Sequence, residues 1–236
     1  MTKNLKIYKM QSKEDYILYL RELIILAHKH MINYKRYLES IEEYIKINGY
    51  DKKTEVSIKP EVYLENQDKI NNTSTYLFNL FADDTGIAMS YKKFRRYADK
   101  KKIKQLQLGL NDEIKNIISQ FNDLRNWSAH IPESLFTARM EIIKKHNLEE
   151  YFMSDYSTIS IPDFQSYEAA WIIDLLRENK HLYSGCSKIF QQMKKDYSKL
   201  TGNSMRIEKK SIPIRPIKNM DIPKISFEIQ KIIMKE

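Results

Sequence analysis

The sequence predicts an all-α protein, an antiparallel bundle of long helices followed by an extended, proline-containing C-terminal tail. Three observations carry that expectation. Apolar residues recur at alternating spacings of three and four over long stretches, the period of a helix with one buried face. Glycine and proline are scarce, at 5 and 6 in 236 residues, and the prolines fall mostly late in the chain. The apolar stripes are joined by short connections with no solenoid-type repeat, which favours a bundle.

The elements follow in order. Ser12, with Glu14 and Asp15 behind it, supplies an oxygen cap and negative charge for a helix start. Ile17, Leu20, Ile24, Ala27, Met31, Tyr34, Leu38, Ile41 and Ile45 then mark one face of a long helix that stops near Asn48-Gly49. A polar connector from Tyr50 to Lys59 leads to Pro60, which suits the first turn of a second helix reaching about Ala82. After Asp83-Asp84-Thr85-Gly86 comes a shorter basic helix with Met89, Phe94 and Tyr97 as apolar contacts. Asn111 or Asp112 caps a fourth helix bearing Ile114, Ile117, Ile118, Phe121 and Leu124, and Pro132 ends it.

A short helix is expected over Glu133 to His146. The last large one begins after Pro162, carries Trp171, Ile172, Leu175, Leu182, Cys186, Ile189, Met193 and Leu200, and stops at Gly202. The chain therefore divides into a helical domain, 1–202, and a tail, 203–236. Ser211 to Pro216 and Pro223 read as extended backbone, and Ile225 to Met234 as either a short helix or an edge strand.

No apolar run resembles a secretory leader or the roughly 20 residues of a membrane span. Cys186 is the only cysteine, which excludes an intrachain disulfide and suits a reducing compartment, so a cytoplasmic protein with no membrane partner is expected. The formal charge of +9 favours polyanionic partners, RNA foremost. No P-loop, dinucleotide fingerprint or Cys/His cluster is present, and His28 and His30 project about 160° apart on a helix, so neither cofactor nor metal is expected.

The fourth helix contains the informative anomaly. At about 100° per residue, Arg125 falls in the apolar arc of Ile114, Ile118, Phe121 and Leu124. A guanidinium stays charged, so it must meet a carboxylate, a second subunit or a bound anion there. Ser128, small, lies on the same face. His130, five residues on, projects about 140° away on an ideal helix. The pair converges only if the helix unwinds before Pro132 or if each meets its counterpart across a dimer.

Arg125-Asn-Trp-Ser-Ala-His130 resembles the signature of the HEPN superfamily, in which an arginine, often followed by a polar residue, is separated from a histidine by four to six intervening residues. Arg21 with His28 and Arg139 with His146 also fit the bare spacing, but neither has an amide after the arginine or a proline-terminated helix. The resemblance implies a HEPN-type helical fold, homodimerisation and metal-independent RNA cleavage in a composite site, as in toxins and abortive-infection or phage-defence effectors. It further implies an antitoxin or regulatory protein as partner. His130 would serve as acid or base, Arg125 would neutralise the phosphorane, and Asn126 would orient phosphate or imidazole. Pro132 stands where related toxins often carry a tyrosine that is modified, so control by that route is not expected. The structural alternative makes Arg125 an ion-pair partner and His130 a cation at a helix terminus.

A second feature is Tyr91-Lys-Lys-Phe-Arg-Arg-Tyr97 with Lys100 to Lys104 behind it. Lys92, Lys93, Arg95, Arg96, Lys100 and Lys101 would contact RNA phosphates while the rings stack on bases. Alternatively this is a solvated helix face whose aromatics point into the core. A non-catalytic helical module that binds RNA or a protein is the competing function. A third reading is a structural bundle docked through its tail onto a larger assembly.

Overall fold

The computed structural model describes residues 8–86, 88–129, 133–145, 147 and 165–208, and most of these are helical. α1 (Lys13–Ile47) starts at the expected cap: the Ser12 hydroxyl accepts from the Asp15 amide at 3.2 Å, and the Asp15 carboxylate accepts from the Ser12 amide at 2.8 Å. This reciprocal box satisfies amides that the first helical turn leaves open. The Ser12 and Gln11 amides are the main reasons the Asp15 carboxyl falls to about 2. At the other end Asn48 closes the helix and Gly49 turns the chain at φ 64°, the left-handed region that favours glycine.

α1 is the axis of the bundle. α2 (Pro60–Ala82), α3 (Tyr91–Lys100) and α6 (Ala169–Thr201) all pack on it, while α4 (Asp112–Ala129) packs on α2 and α6. α5 (Glu133–Lys145) follows α4. Leu20, Ala27, Tyr34 and Ile41 of the expected stripe are all but inaccessible to solvent, as are Tyr16 and Leu23 beside it, whereas Ile17 of the stripe is half-buried. Asn111 caps α4, its side chain accepting from the Ile114 amide at 2.9 Å. α6 crosses α4 closely at Gly185, where a Cβ would lie 3.0 Å from the Phe121 ring. Gly202, at φ 76°, ends α6 as expected.

The all-α expectation is met, with small departures. The connector between α1 and α2 contains β1 (Ser57–Ile58), which pairs antiparallel with β2 (Tyr167–Glu168) just ahead of α6. The pairing has a purpose at the helix start. α6 lacks a side-chain cap, and its Ala169 and Ala170 amides instead donate to the Val56 and Thr54 carbonyls at 2.8 and 3.0 Å. Trp171 and Leu124, placed in apolar stripes by spacing, are 54% and 40% exposed. Both line a groove between helices, which removes them from the close-packed interior. Asn203 to Glu208 form neither helix nor strand, whereas the rest of the tail, including Ile225 to Met234, lies outside the described residues.

The core includes one buried charged cluster. Asp196 of α6 is fully buried and accepts from the Tyr91 hydroxyl at 2.6 Å, from Arg95 Nη1 at 3.1 Å and from Gln192 at 2.9 Å. Arg95 Nη2 also donates to the Leu108 carbonyl at 3.2 Å, tying the segment after α3 to the same guanidinium. Burial and the facing Asp196 carboxylate push the Tyr91 hydroxyl well above its usual range.

Two outcomes test this architecture. Asp196→Ala strands a buried guanidinium and should cost about 3–5 kcal/mol of unfolding free energy, against less than about 0.5 kcal/mol for Lys100→Gln, read by urea denaturation. Asp15→Asn should lower stability at neutral pH. Because the folded Asp15 pKa is depressed from 3.8 to about 2, its contribution is full above 3.8 and disappears as pH falls through 2, so wild type and variant should then converge.

Candidate functional site

The site is assembled at the C-terminal end of α2. Asp83 stops that helix with extended backbone, and its Oδ1 accepts from the Thr85 amide at 2.8 Å, which fixes the carboxylate. The Asp83 carbonyl accepts from the Ser90 hydroxyl, and Ser90 caps α3 by accepting from the Lys93 amide at 3.1 Å. Lys93 is turned inward, its ammonium donating to the Gly86 and Ala88 carbonyls at 2.6 and 2.8 Å. Burial is the first cause of its lowered pKa. The 83–90 connection is thus laced to both flanking helices.

Arg125 of α4 meets this connection. Its Nη2 lies 3.0 Å from Asp83 Oδ2, with the two side chains 15% and 12% exposed. Its Nε donates to Asn79 Oδ1 at 2.9 Å, and its Nη1 donates to Asn126 Oδ1 at 3.0 Å. Of the three partners that spacing left open for Arg125, the structure provides a carboxylate. Asn126 orients the guanidinium and is itself oriented by it. His130, Pro132 and the Ser128 side chain lie outside the described residues. A guanidinium fixed on three sides yet not fully covered has no orientation left to lose on meeting an oxyanion.

The predicted basic RNA surface separates into parts. Lys93 and Arg95, at 4% and 3% exposed, are not surface residues: one holds the 86–88 backbone and the other belongs to the Asp196 cluster. Tyr91 and Phe94 are buried, so the rings at these positions serve the core. The reason is periodicity: Tyr91, Phe94, Arg95 and Ala98 share the face of α3 that packs inward. Lys92 and Arg96 both pair with Asp84, the former at 3.4 Å. Lys100 and Lys101 are exposed.

His28 and His30 point to different neighbours, stacking on Phe190 and Tyr76. No group of three His, Cys, Asp or Glu side chains is placed to hold a metal ion among the described residues. No helix among them is long and apolar enough to cross a membrane. Three residues of the site and its support escaped the reading of the sequence: Asn79, Asp83 and Asp196. In the sequence Asp83 is one of four residues between two helices, and in the structure it also closes the first of them. Asp196 had a signal, since it occupies the apolar stripe of α6 between Met193 and Leu200.

The Arg125–Asp83 pair should show in a double-mutant cycle. Arg125→Met and Asp83→Asn should each destabilise, and the double variant should recover about 1–2 kcal/mol relative to their sum. Independent additivity would mean that the pair does not hold α4 to the connection. Lys93→Met should lower stability, whereas Lys100→Gln with Lys101→Gln should leave it unchanged, both read by urea denaturation. No protein-family model, curated protein or solved structure matches this chain.

Proposed function

We propose that this chain is a metal-independent endoribonuclease of HEPN type, acting as a homodimer and serving as a toxin or phage-defence effector. The observation that carries the reading is the guanidinium of Arg125, held by Asn79, Asp83 and Asn126 at the end of the helix that runs toward His130. Such a group suits charge that develops during reaction better than charge already present in the substrate.

The step needs no group beyond the side chains and the RNA itself. The 2′-oxygen attacks the adjacent phosphorus as its proton passes to a base, and the bond to the departing 5′-oxygen breaks as that oxygen takes a proton from an acid. The products are a 2′,3′-cyclic phosphate and a 5′-hydroxyl. His130 fills the acid or base role, with the partner protomer's copy filling the other, and Arg125 stabilises the pentavalent phosphorane. Asp83 fixes the direction of Arg125 and tempers its pull on ground-state phosphate. An antitoxin or regulatory protein is the partner this reading calls for.

A second reading has one specific observation in its favour. Asp83 already neutralises Arg125, as expected of a structural pair, and the chain would then be a helical RNA- or protein-binding module that uses exposed Lys100 and Lys101.

One assay separates the readings. Purified protein, freed of any bound inhibitor, is incubated in EDTA with labelled single-stranded RNA and tRNA, beside His130→Ala. The nuclease reading expects products ending in 2′,3′-cyclic phosphate, with the variant slower by about 100-fold or more. Intact RNA with both folded proteins, or equal cleavage by both, contradicts it.

A further inference from the structure

The candidate site shares Asn79 with a longer feature. α2 and α6 both pack on α1 and leave between them a groove of about 920 Å³. Along α2 it is lined by Gln67, Asn71, Thr75 and Asn79, each four residues after the last, with Asn72 beside them. A step of four keeps these side chains on one gently drifting face over roughly 18 Å of helix. The wall on α6 carries Trp171, Asp174 and Glu178, and Leu124 of α4 closes the groove beside Asn79. Asn79 is the residue that accepts from Arg125 Nε, so one residue of the groove wall also holds the guanidinium.

We infer that this groove is the substrate channel, and that it takes the unpaired bases of single-stranded RNA while the scissile phosphate sits at Arg125. The inference rests on the nuclease reading and adds to it where the strand lies and which part of the strand is read. Charge decides the orientation. Among the described residues no lysine, arginine or histidine lines the groove, whereas two carboxylates do, Glu178 and Asp174, the latter in a pair with Arg177 at 2.6 Å, so phosphates are unfavourable beside Glu178. Carboxamides carry both donors and acceptors and match base edges, and a carboxylate accepts from an exocyclic amine.

Stacking surface is present at the far end. Trp171 is 54% exposed, and its indole is braced edge-on by Tyr63, which in turn stacks on Tyr167 at 4.5 Å. An exposed, braced indole suits a base sequence-tolerantly, because every base offers a π face. The carboxylates then add a preference: adenine, cytosine and guanine offer amino groups to Asp174 and Glu178, and uracil offers none.

The test uses the full chain and one mixed-sequence RNA with two readouts. In His130→Ala, ultraviolet crosslinks should map to Trp171 and to the α2 stripe, and poly(U) should compete less well than poly(A) or poly(C). In the otherwise wild-type chain, Trp171→Ala and Asn71→Ala, both at exposed positions, should raise KM by about tenfold with kcat nearly unchanged, because they remove binding rather than chemistry. Cleavage by wild type with crosslinks elsewhere and unaltered KM in both variants overturns the channel and leaves the nuclease reading standing. Equal competition by poly(U) overturns base reading by the carboxylates. Loss of dimer in Trp171→Ala, seen by sedimentation, makes the groove a protein interface and overturns the proposal. RNA neither cut nor crosslinked removes the nuclease reading and the channel together.

Discussion

Asp196 sits at the centre of this structure's polar organisation, a carboxylate with no exposure to solvent that receives Tyr91, Arg95 and Gln192. Burying a carboxylate and a guanidinium is costly, and the cost is offset only when their geometry and remaining hydrogen bonds are good. Here the pair locks α3 onto α6. α3 in turn anchors the 83–90 connection through Ser90 and Lys93, and that connection presents Asp83 to Arg125. The direction of one guanidinium on α4 thus depends on a carboxylate on α6 that it never touches. An apolar replacement at Asp196 would fill the volume but leave α3 without its register.

The two adjacent acids after α2 divide the work. Asp83 turns to Arg125 of α4, and Asp84 turns to Lys92 and Arg96 of α3. Each pair spans two elements and so fixes their relative position, a different role from the exposed i,i+4 pairs such as Lys35–Glu39, which add little. Cations that a sequence presents as a ready phosphate surface are in good part committed to this internal bracing. The surplus charge that remains for a polyanion lies elsewhere, with Lys100 and Lys101 among its exposed members.

Much of the fold was legible because helix boundaries here have strong chemical markers. Ser12 with Asp15, Pro60, Asn111 and Gly202 each stand at an element's end for the reason their chemistry suggests. The β1–β2 pair was not legible, since two residues are too few for a period and the partners are distant in sequence. Arg125 was readable as an anomaly because a charged residue interrupted an apolar arc. The same rule applied to α6 would have exposed Asn179, which accepts from the Tyr34 hydroxyl at 2.7 Å, and Asp196. The rule fails for Asn79 and Asp83, which interrupt nothing: one is exposed on its helix, and the other resembles any helix stop. Their meaning comes from the helix packed beside them.

Arg125 meets the demand that a structural role and a chemical one share, a guanidinium fixed by its neighbours. The most direct measurement is RNA cleavage by Arg125→Lys beside the unfolding free energy of the same protein. Lysine keeps the charge that pairs with Asp83 but cannot present the planar fork. On the proposed nuclease reading, stability falls by no more than about 1 kcal/mol while the cleavage rate falls by about 100-fold or more. Cleavage at the wild-type rate by a folded Arg125→Lys protein would contradict it and assign Arg125 to the fold alone.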